Sequence, residues 1–506
     1  MKIFSTSQIR LLDQYTIEHE PIASIDLMER AAEGLYEEIK RLFPHKPKFL
    51  ILAGAGNNGG DGLALARLML SDGWGVQAVL LREGNLSPDC ETNKKSLSLR
   101  FPVAFSEQTE RFIPPIMDKN TVVVDALFGS GLNRAPEGIF ADAIRWINSV
   151  ASQVIAIDIP SGMQGEQVVK STDLVVKANI TLTLLFPKLA FLFPENEPVV
   201  GVRKVIDIQL HPDAIEKEQT QWYFTEKPDV LPMLKKRSKF SHKSNFGHVC
   251  LMAGSQGMAG AAVLSASAAL RVGAGLVTVV GTEENRVVLQ TAVPEAMYKT
   301  DLNAPDHYSV FAFGPGIGTK NETVQILEDL LSQINRKLAT EKPFLGGRVL
   351  LDADALNILS LRPDFWDIVP QNAIITPHPK EFERLFGASA DSLGRVQNAS
   401  AKAVELQIII VLKGAYTAVC CPDGNVYFNS TGNAGMASGG MGDVLTGIIG
   451  GLLAQGYSPR ESAVIGVYLH GLAGDVALKN QSEESLLARD VVENIGQAYK
   501  MLKIEY

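Results

Sequence analysis

The stretch Gly432–Asp443, GNAGMASGGMGD, decides how the rest of the chain is read. It gives up nearly all side-chain chemistry, ends on one carboxylate, and runs straight into the apolar Val444–Ala454, VLTGIIGGLLA. A glycine-rich loop in front of a helix lets backbone N–H groups close on a phosphate, and the helix N-terminus adds partial positive charge. Asp443 then falls in the first helical turn, where the dipole favours its ionised form. A carboxylate beside a cradled phosphate can accept a hydroxyl proton during phosphoryl transfer, a reaction whose demands are positional and electrostatic. Tight turns, close helix packing and an ordinary helix cap are the alternative reading of the same residues. The segment is neither a Walker A loop, since GxxxxGK[ST] does not occur, nor part of a protein-kinase motif set. Lys413 and Gly414 directly follow the apolar run IIIVL, as a nucleotide-contacting turn would, and Thr417 could donate to a phosphate or ribose.

Around this loop the chain is long enough for two cores: 506 residues predict two domains. Its formal charge of -9 supplies no basic field for nucleic acid or anionic lipid, the local cluster KKRSKF (235–240) notwithstanding. An anionic ligand is then held by local backbone amides. Cys90, Cys250, Cys420 and Cys421 form no CxxC pair and are too scattered for a disulfide scaffold or zinc cluster, which fits a reducing cytoplasm. The N-terminal MKIFSTSQIRLLDQYTIEHE lacks the apolar core of a signal peptide. The apolar window ITLTLLFPKLAFLF is broken by Pro187 and Lys188 well short of a bilayer span, so no membrane segment is expected.

The first half repeats a short β-branched run, a glycine-rich turn and a helical stretch. FLILAGAGNNGGDGLALARLML predicts a strand over 49–53 and a helix from about Gly62; TVVVDALFGSGLNR with EGIFADAIRWINSV repeats the pattern. QVIAIDIPSGM, ANITLTLLF and VGVRKVIDI supply further strands, and such alternation implies a parallel sheet covered on both faces. Periodicity lapses over His211–Pro232, a polar stretch that reads as the connection between domains placed at 1–215 and 225–506. A second α/β series follows, its strands again ending in Gly, Asp or His. In open parallel sheets such ends line the ligand crevice.

GAGNNGGDG, VDALFGSGLNR and DIPSG in the first half, then GPGIG, DADALN, TPHPKEFERL, KGAYT and the opening loop, stand in one order over essentially the whole chain. In that order they resemble the bifunctional NAD(P)H-hydrate repair enzymes of bacteria. The resemblance implies a Rossmann-like three-layer α/β/α epimerase domain followed by a ribokinase-like α/β dehydratase domain. The first interconverts the R and S epimers of hydrated NADH and NADPH. The second dehydrates the S epimer with ADP or ATP as phosphoryl donor and magnesium. Hydroxide leaves poorly, but as a phosphate ester beside the ring nitrogen it departs, driven by the nitrogen lone pair.

For the second domain the resemblance makes Asp443 the base, with Asn433, Ala434, Gly435, Met436, Ala437, Ser438, Gly439, Gly440, Met441 and Gly442 around the transferring phosphoryl group. Lys413, Gly414, Ala415, Tyr416 and Thr417 match the nucleotide segment. Ala261, Gly318, His378, Pro379, Lys380, Glu381, Phe382, Glu383 and Arg384 match positions around the hydrated ring. Lys380 stands where the commoner motif has glycine, and His378 read alone is a turn residue. Asp352 and Asp354 could assist magnesium through water, or could cap a helix.

For the first domain, Asn57, Asn58, Gly59, Gly60 and Asp61, with Gly129, Ser130, Gly131, Leu132, Asn133, Arg134 and Ala135, would cradle phosphates and ribose, and Asp158 would contact the ring as a catalytic residue. Asn58, Asp125 and Ser161 match the ligands of potassium, a low-charge set of hard oxygens. Asp158 and Asp125 are both candidates for the proton relay. GAGNNG is also a literal GxGxxG, but no acidic partner follows at a second strand end, so a dinucleotide fingerprint is discounted. Lys188 could neutralise phosphate but is expected to be solvated, and Asp207 to be a simple turn cap. A homo-oligomer is expected. The competing reading is a ribokinase-like small-molecule kinase whose first half only binds.

Overall fold

A computed structural model describes residues 1–302, 307–340 and 348–503. The chain divides into two compact units, one of residues 2–222 and one of residues 223–506 with Met1.

The first unit is built on a seven-stranded sheet. Its strands are β1 (Phe49–Ala53), β2 (Val76–Leu81), β3 (Phe105–Gln108), β4 (Val122–Ala126), β5 (Val154–Ile157), β6 (Ile180–Leu184) and β7 (Val202–Ile206). They stand in the order β3-β2-β1-β4-β5-β6-β7, all parallel. Every residue of β1, β4 and β5 is buried, so both faces of the sheet centre are covered. The helices used below are α1 (Thr6–His19), α2 (Ser24–Leu42), α3 (Asn57–Ser71), α4 (Pro88–Arg100) and α5 (Gly138–Val150). The strand order reverses between β1 and β4, the place where open α/β sheets bind ligands.

Two sequence expectations change here. The helix after β1 begins at Asn57, not near Gly62, so NNGGD is its first turn. That turn is seated on the strand ends: a Cβ on Gly62 would meet the Ala126 methyl at 2.6 Å. The polar stretch after His211 is not featureless either, since it carries a helix over Pro212–Lys217 and a strand over Trp222–Thr225. Asp207 does cap a turn, accepting from the Gln209 N–H at 2.8 Å.

The strands of the second sheet used below are β8 (His248–Met252), β9 (Leu276–Val280), β10 (Met297–Lys299), β11 (Val310–Phe313), β12 (Arg348–Leu351), β13 (Ile374–Ile375), β14 (Ile409–Leu412), β15 (Ala418–Cys420) and β16 (Val426–Asn429). From β10 the order runs β9-β8-β11-β12-β13-β14-β15-β16. It is parallel as far as β14, and β15 and β16 turn back antiparallel. The helices used below are α6 (Ala259–Val272), α7 (Asn321–Thr340), α8 (Asp354–Leu361), α9 (Pro379–Phe386), α10 (Ser392–Leu406), α11 (Met441–Ala454), α12 (Pro459–Ala477) and α13 (Ala488–Lys503).

The glycines of VLTGIIGGLLA serve packing. α11 lies against α6, and a Cβ on Gly447 would fall inside van der Waals contact of the Ser265 carbonyl and 2.7 Å from the Ala268 methyl. Val444, Ile448 and Leu452 on the same helix are fully buried with Val491 and Ile495 of α13. α11 therefore has little freedom to shift, and its first turn is held in place. Among the described residues no helix is long and apolar enough to cross a membrane. The four cysteines are buried and free.

Gly447→Ala should destabilise the second unit by about 1–3 kcal/mol, because a backbone carbonyl must move to admit the methyl. A lowered thermal midpoint for the transition of that unit in the full chain is the expected reading; an unchanged midpoint contradicts this packing.

Candidate active sites

Gly440, at φ +89°, turns the opening loop into α11, and Asp443 occupies the first turn of that helix. The Asp443 carbonyl is tied down by the Ser265 hydroxyl at 2.9 Å. Beside it, at the carboxyl ends of β12 and β14, the Lys413 ammonium donates to Asp352 Oδ1 at 3.1 Å and lies 3.7 Å from Glu381 Oε2. The other Asp352 oxygen accepts from Thr446 of α11 at 2.7 Å, which joins strand end and helix. A Cβ on Gly442 would lie 3.5 Å from the Lys413 ammonium. Burial alone would lower the Lys413 ammonium, but the carboxylates of Asp352, Glu381 and Asp443 hold it above the usual lysine value. Asp443 is pushed up to about 6, first by burial and then by Asp352, with Lys413 opposing. Near neutrality Asp443 is thus ionised yet able to accept a proton.

The loop is fixed by a residue that sequence reasoning missed. Asp475 of α12 accepts from the Gly432 N–H at 3.0 Å and the Asn433 side-chain amide at 2.9 Å, while Asn433 Oδ1 accepts from the Gly435 N–H. Ala434–Met436 form one tight turn, and the Ser438 hydroxyl reaches the Leu486 carbonyl at 3.4 Å. His470 of α12 is a second omission. Its Nε2 is buried without a partner, and burial, then Lys413, lower it to about 4.

The other predicted positions divide. Ala261 meets the GPGIG turn, a Cβ on Gly316 lying 3.3 Å from its methyl, and the Gly318 N–H donates to Asp354 Oδ2 at 2.9 Å. His378 is the N-cap of α9: its Nδ1 accepts from the Lys380 and Glu381 N–H groups, and its own N–H donates to Glu381 Oε2 at 2.8 Å. Lys380 in place of glycine is therefore accommodated in a regular first turn. Pro379 opens that helix, Lys380 is exposed, and Arg384 reaches Asn357 at 2.6 Å. Phe382 is fully buried against Phe386, and Glu383 pairs with Arg395, so these two side chains are turned to packing. Thr417 is buried and closes its own turn on Gly414, so its hydroxyl is not free for a phosphate or ribose as the sequence suggested; Gly414 and Ala415 are exposed and Tyr416 half-buried.

In the first unit the loops after β1, β4 and β5 converge. A Cβ on Gly129 would lie 3.2 Å from that of Asn58 and 3.3 Å from Asp158 Oδ2. Asp158 has φ +66°, a left-handed conformation that costs about 1–3 kcal/mol and marks functional sites. Its Oδ2 accepts from the Ser130 N–H at 3.1 Å, and its Oδ1 pairs with Lys188 at 2.7 Å. Lys188 is 2% exposed, which overturns the expectation of a solvated lysine. Position beside a strand did not reveal that the following apolar turn, Leu189–Leu192, is itself buried and draws the lysine inward. Burial would raise the Asp158 carboxyl, but Lys188 holds it below the ordinary value.

Asp125 is buried, accepts from Ser161 N–H at 2.8 Å and Ser161 Oγ at 2.6 Å, and burial pushes it up to about 6. Both side-chain atoms of Asn58 are buried without partners. The unpartnered Asn58 amide oxygen, with the Asp125 carboxylate and Ser161 hydroxyl, is a hard-oxygen set of low total charge, and that chemistry fits a large monovalent cation. Gly59, Gly60 and Asp61 are buried in the first turn of α3, whereas Asn57, Gly131, Asn133, Arg134 and Ala135 are exposed and Leu132 half-buried. Arg10 of α1, also missed, lies against Gly131. Asp352 and Asp354 carry no such vacancy: Lys413 and Thr446 take the first, Gly318 and Asn357 the second. Both carboxylates are thus engaged by protein groups, and among the described residues no cluster of three or more His, Cys, Asp and Glu side chains is placed to hold a metal.

The two units together are an α/β enzyme with a Rossmann-order crevice in the first unit and a kinase-like loop-and-aspartate centre in the second. Residues 249–497 match the family model of NAD(P)H-hydrate dehydratase, and residues 24–190 that of the YjeF-related protein N-terminus. The chain is 32% identical to the bifunctional NAD(P)H-hydrate repair enzyme of Moorella thermoacetica, over 100% of this chain and 98% of that one. It is 34% identical to that of Coxiella burnetii, over 97% and 98%. A ribokinase-like superfamily protein of Enterococcus faecalis has a similar structure, with 30% identity and a TM-score of 0.50 over 56% of this chain and 98% of that one. The chain belongs to the family of bifunctional NAD(P)H-hydrate repair enzymes.

Breaking the buried Lys188–Asp158 pair with Lys188→Met should cost about 3–5 kcal/mol, because Asp158 is left charged and unpaired. Since the pair depresses the Asp158 value, its contribution is present above the ordinary aspartate range and lost as pH falls through the lowered folded value. The midpoint gap between variant and wild type should therefore narrow in acid; a gap independent of pH contradicts the assignment.

Proposed function

We propose that the chain repairs hydrated NADH and NADPH, the first unit exchanging R and S epimers and the second removing water from the S epimer with ADP or ATP. The observation that carries the second assignment is Asp443 at the head of a helix, beside a glycine loop and a lysine pinned by two carboxylates. In this reading Asp443 takes the hydroxyl proton as that oxygen attacks the terminal phosphoryl group. The loop amides beyond the Ala434–Met436 turn, from Ser438 to Gly442, and the Lys413 ammonium stabilise the charge on the migrating group. Magnesium arrives with the nucleotide phosphates, in keeping with carboxylates that are already engaged. Ala261, Gly318, His378 and Arg384 lie around the hydrated ring, and Lys413–Thr417 beside the nucleotide.

In the first unit the Asn57–Asp61 turn and the Gly129–Ala135 loop hold phosphates and ribose, and Asp158 faces the hydrated ring as an ionised carboxylate. Asn58, Asp125 and Ser161 hold potassium, which supplies positive charge to a buried carboxylate. The free, buried cysteines accord with a reducing cytoplasm. A kinase would require the same aspartate, but a stable phosphorylated product would then accumulate.

Asp443→Asn should lose nucleotide-dependent dehydration by at least about 100-fold while epimer exchange is unchanged, and Asp158→Asn the reverse. Chromatography of both epimers with NADH absorbance reads both activities in one sample. If either substitution abolished both activities in folded protein, this division of labour would be wrong. Wild-type dehydration should rise with pH through about 6 as Asp443 loses its proton, and Lys413→Met should move that limb upward because the opposing cation is gone.

A further inference from the structure

Asp158 is a poor proton carrier. Lys188 keeps it ionised, and an acid that releases its proton so readily gives little driving force as a base. Asp125 is sealed under Ser161. The unit still needs a group that gives and takes protons near neutrality, and α1 supplies one. Thr6, Arg10 and Asp13 recur at i, i+4 and i+7, so they share a helix face. Arg10 lies against Gly131, and Thr6 donates its N–H and hydroxyl to Glu166. A Cβ on the neighbouring Gly165 would lie 3.1 Å from the Thr6 hydroxyl and 4.0 Å from the Lys188 Cβ. This face of α1 is thereby turned to the crevice, and Asp13 stands within electrostatic reach of Asp158, Lys188 and Asp61.

We infer that Asp13 is the proton carrier of epimer exchange and that Asp158, fixed by Lys188, stabilises the positive charge formed in the ring. The inference rests on the epimerase reading above. In the step, Asp13 donates its proton to the departing hydroxyl. The C–O bond breaks with its electron pair on oxygen, water leaves, and the ring-nitrogen lone pair forms C=N⁺. Water adds to the opposite face, the C=N π pair returns to nitrogen, and the surplus proton passes through solvent in the half-buried crevice to the Asp13 carboxylate. Protons and electrons balance, with no external oxidant or reductant.

Two features favour Asp13 over its neighbour Asp61. Burial, then Asp158, pushes Asp13 up to about 7, with Lys188 opposing, so both its forms are populated near neutrality. Asp61 is more deeply buried, and burial first, then Asp158, Asp13 and Asp89, raises it well above the usual value. It suits a fixed hydrogen-bond donor. Lys188 is the cation that acts on Asp13 and Asp158 its facing carboxylate, while Asp61 feels Asp158, Asp13 and Asp89; Arg10, on the same face of α1, lies against Gly131.

The test uses the full chain and each separated epimer of hydrated NADH. A wild type that does not accelerate exchange over the spontaneous rate removes the epimerase reading itself. Where it does, Asp13→Asn should lower kcat by at least about 100-fold with KM within about threefold, and Asp13→Glu should restore part of it. The wild-type kcat profile should break near neutrality, and that break should vanish in Asp13→Asn. Exchange in Asp13→Asn within about tenfold of wild type, or a collapse found only in Asp61→Asn, overturns the assignment. If Asp13→Asn does not fold, the wild-type profile decides: a break near neutrality supports Asp13, and a flat kcat there rejects it.

Discussion

A lysine taken out of water and pinned to an aspartate recurs in both units, and both sites depend on it. Lys188 meets Asp158 at 2.7 Å and Lys413 meets Asp352 at 3.1 Å. Each pair lies where parallel strands end, so backbone amides and helix N-termini already point at the same space. Burying an ammonium is costly unless carboxylates hold it. The carboxylates in turn are placed by elements that cannot shift without exposing core. The consequence is a graded set of acids distributed over two sites, one in each unit. Asp158 is held low, while Asp443 and Asp13 are lifted toward neutrality by burial and by neighbouring charge.

That grading separates the two chemistries. A phosphoryl transfer needs one base and a dense array of donors, and α11 delivers both in consecutive residues. Its glycines Gly447 and Gly451 admit α6, which holds the first turn in place. Epimer exchange needs a cation stabilised and a proton moved, and the first unit gives these tasks to different carboxylates on different elements.

Much of this was legible in the sequence because glycine placement is a local signal. The Gly432–Asp443 loop had to precede a helix, and Asp443 does fall in its first turn. The strand end at Ala53 followed from an apolar run that stops at glycine, and the one at Ile157 from a run that stops at aspartate. What escaped was set by tertiary contact. Asp475 reaches the loop across 42 positions of sequence to Asn433, and Lys188 is buried by a turn whose depth no periodicity announces. Asp13 sits in a polar helix that reads as surface. The antiparallel β15 and β16 were hidden because a hairpin strand and a crossover strand share one composition. Thr417 misled for a different reason: its hydroxyl satisfies its own turn, as short polar side chains commonly do.

The central claim is that the substrate hydroxyl leaves as a phosphate ester formed under Asp443. The S epimer carrying oxygen-18 on that hydroxyl, incubated with ADP, magnesium and the full-length Asp158→Asn variant, in which epimer exchange no longer washes the label into water, reports it directly by mass spectrometry of the released orthophosphate. The account predicts one heavy oxygen in each phosphate released with NADH. Unlabelled phosphate, with the heavy oxygen recovered in water, would contradict it.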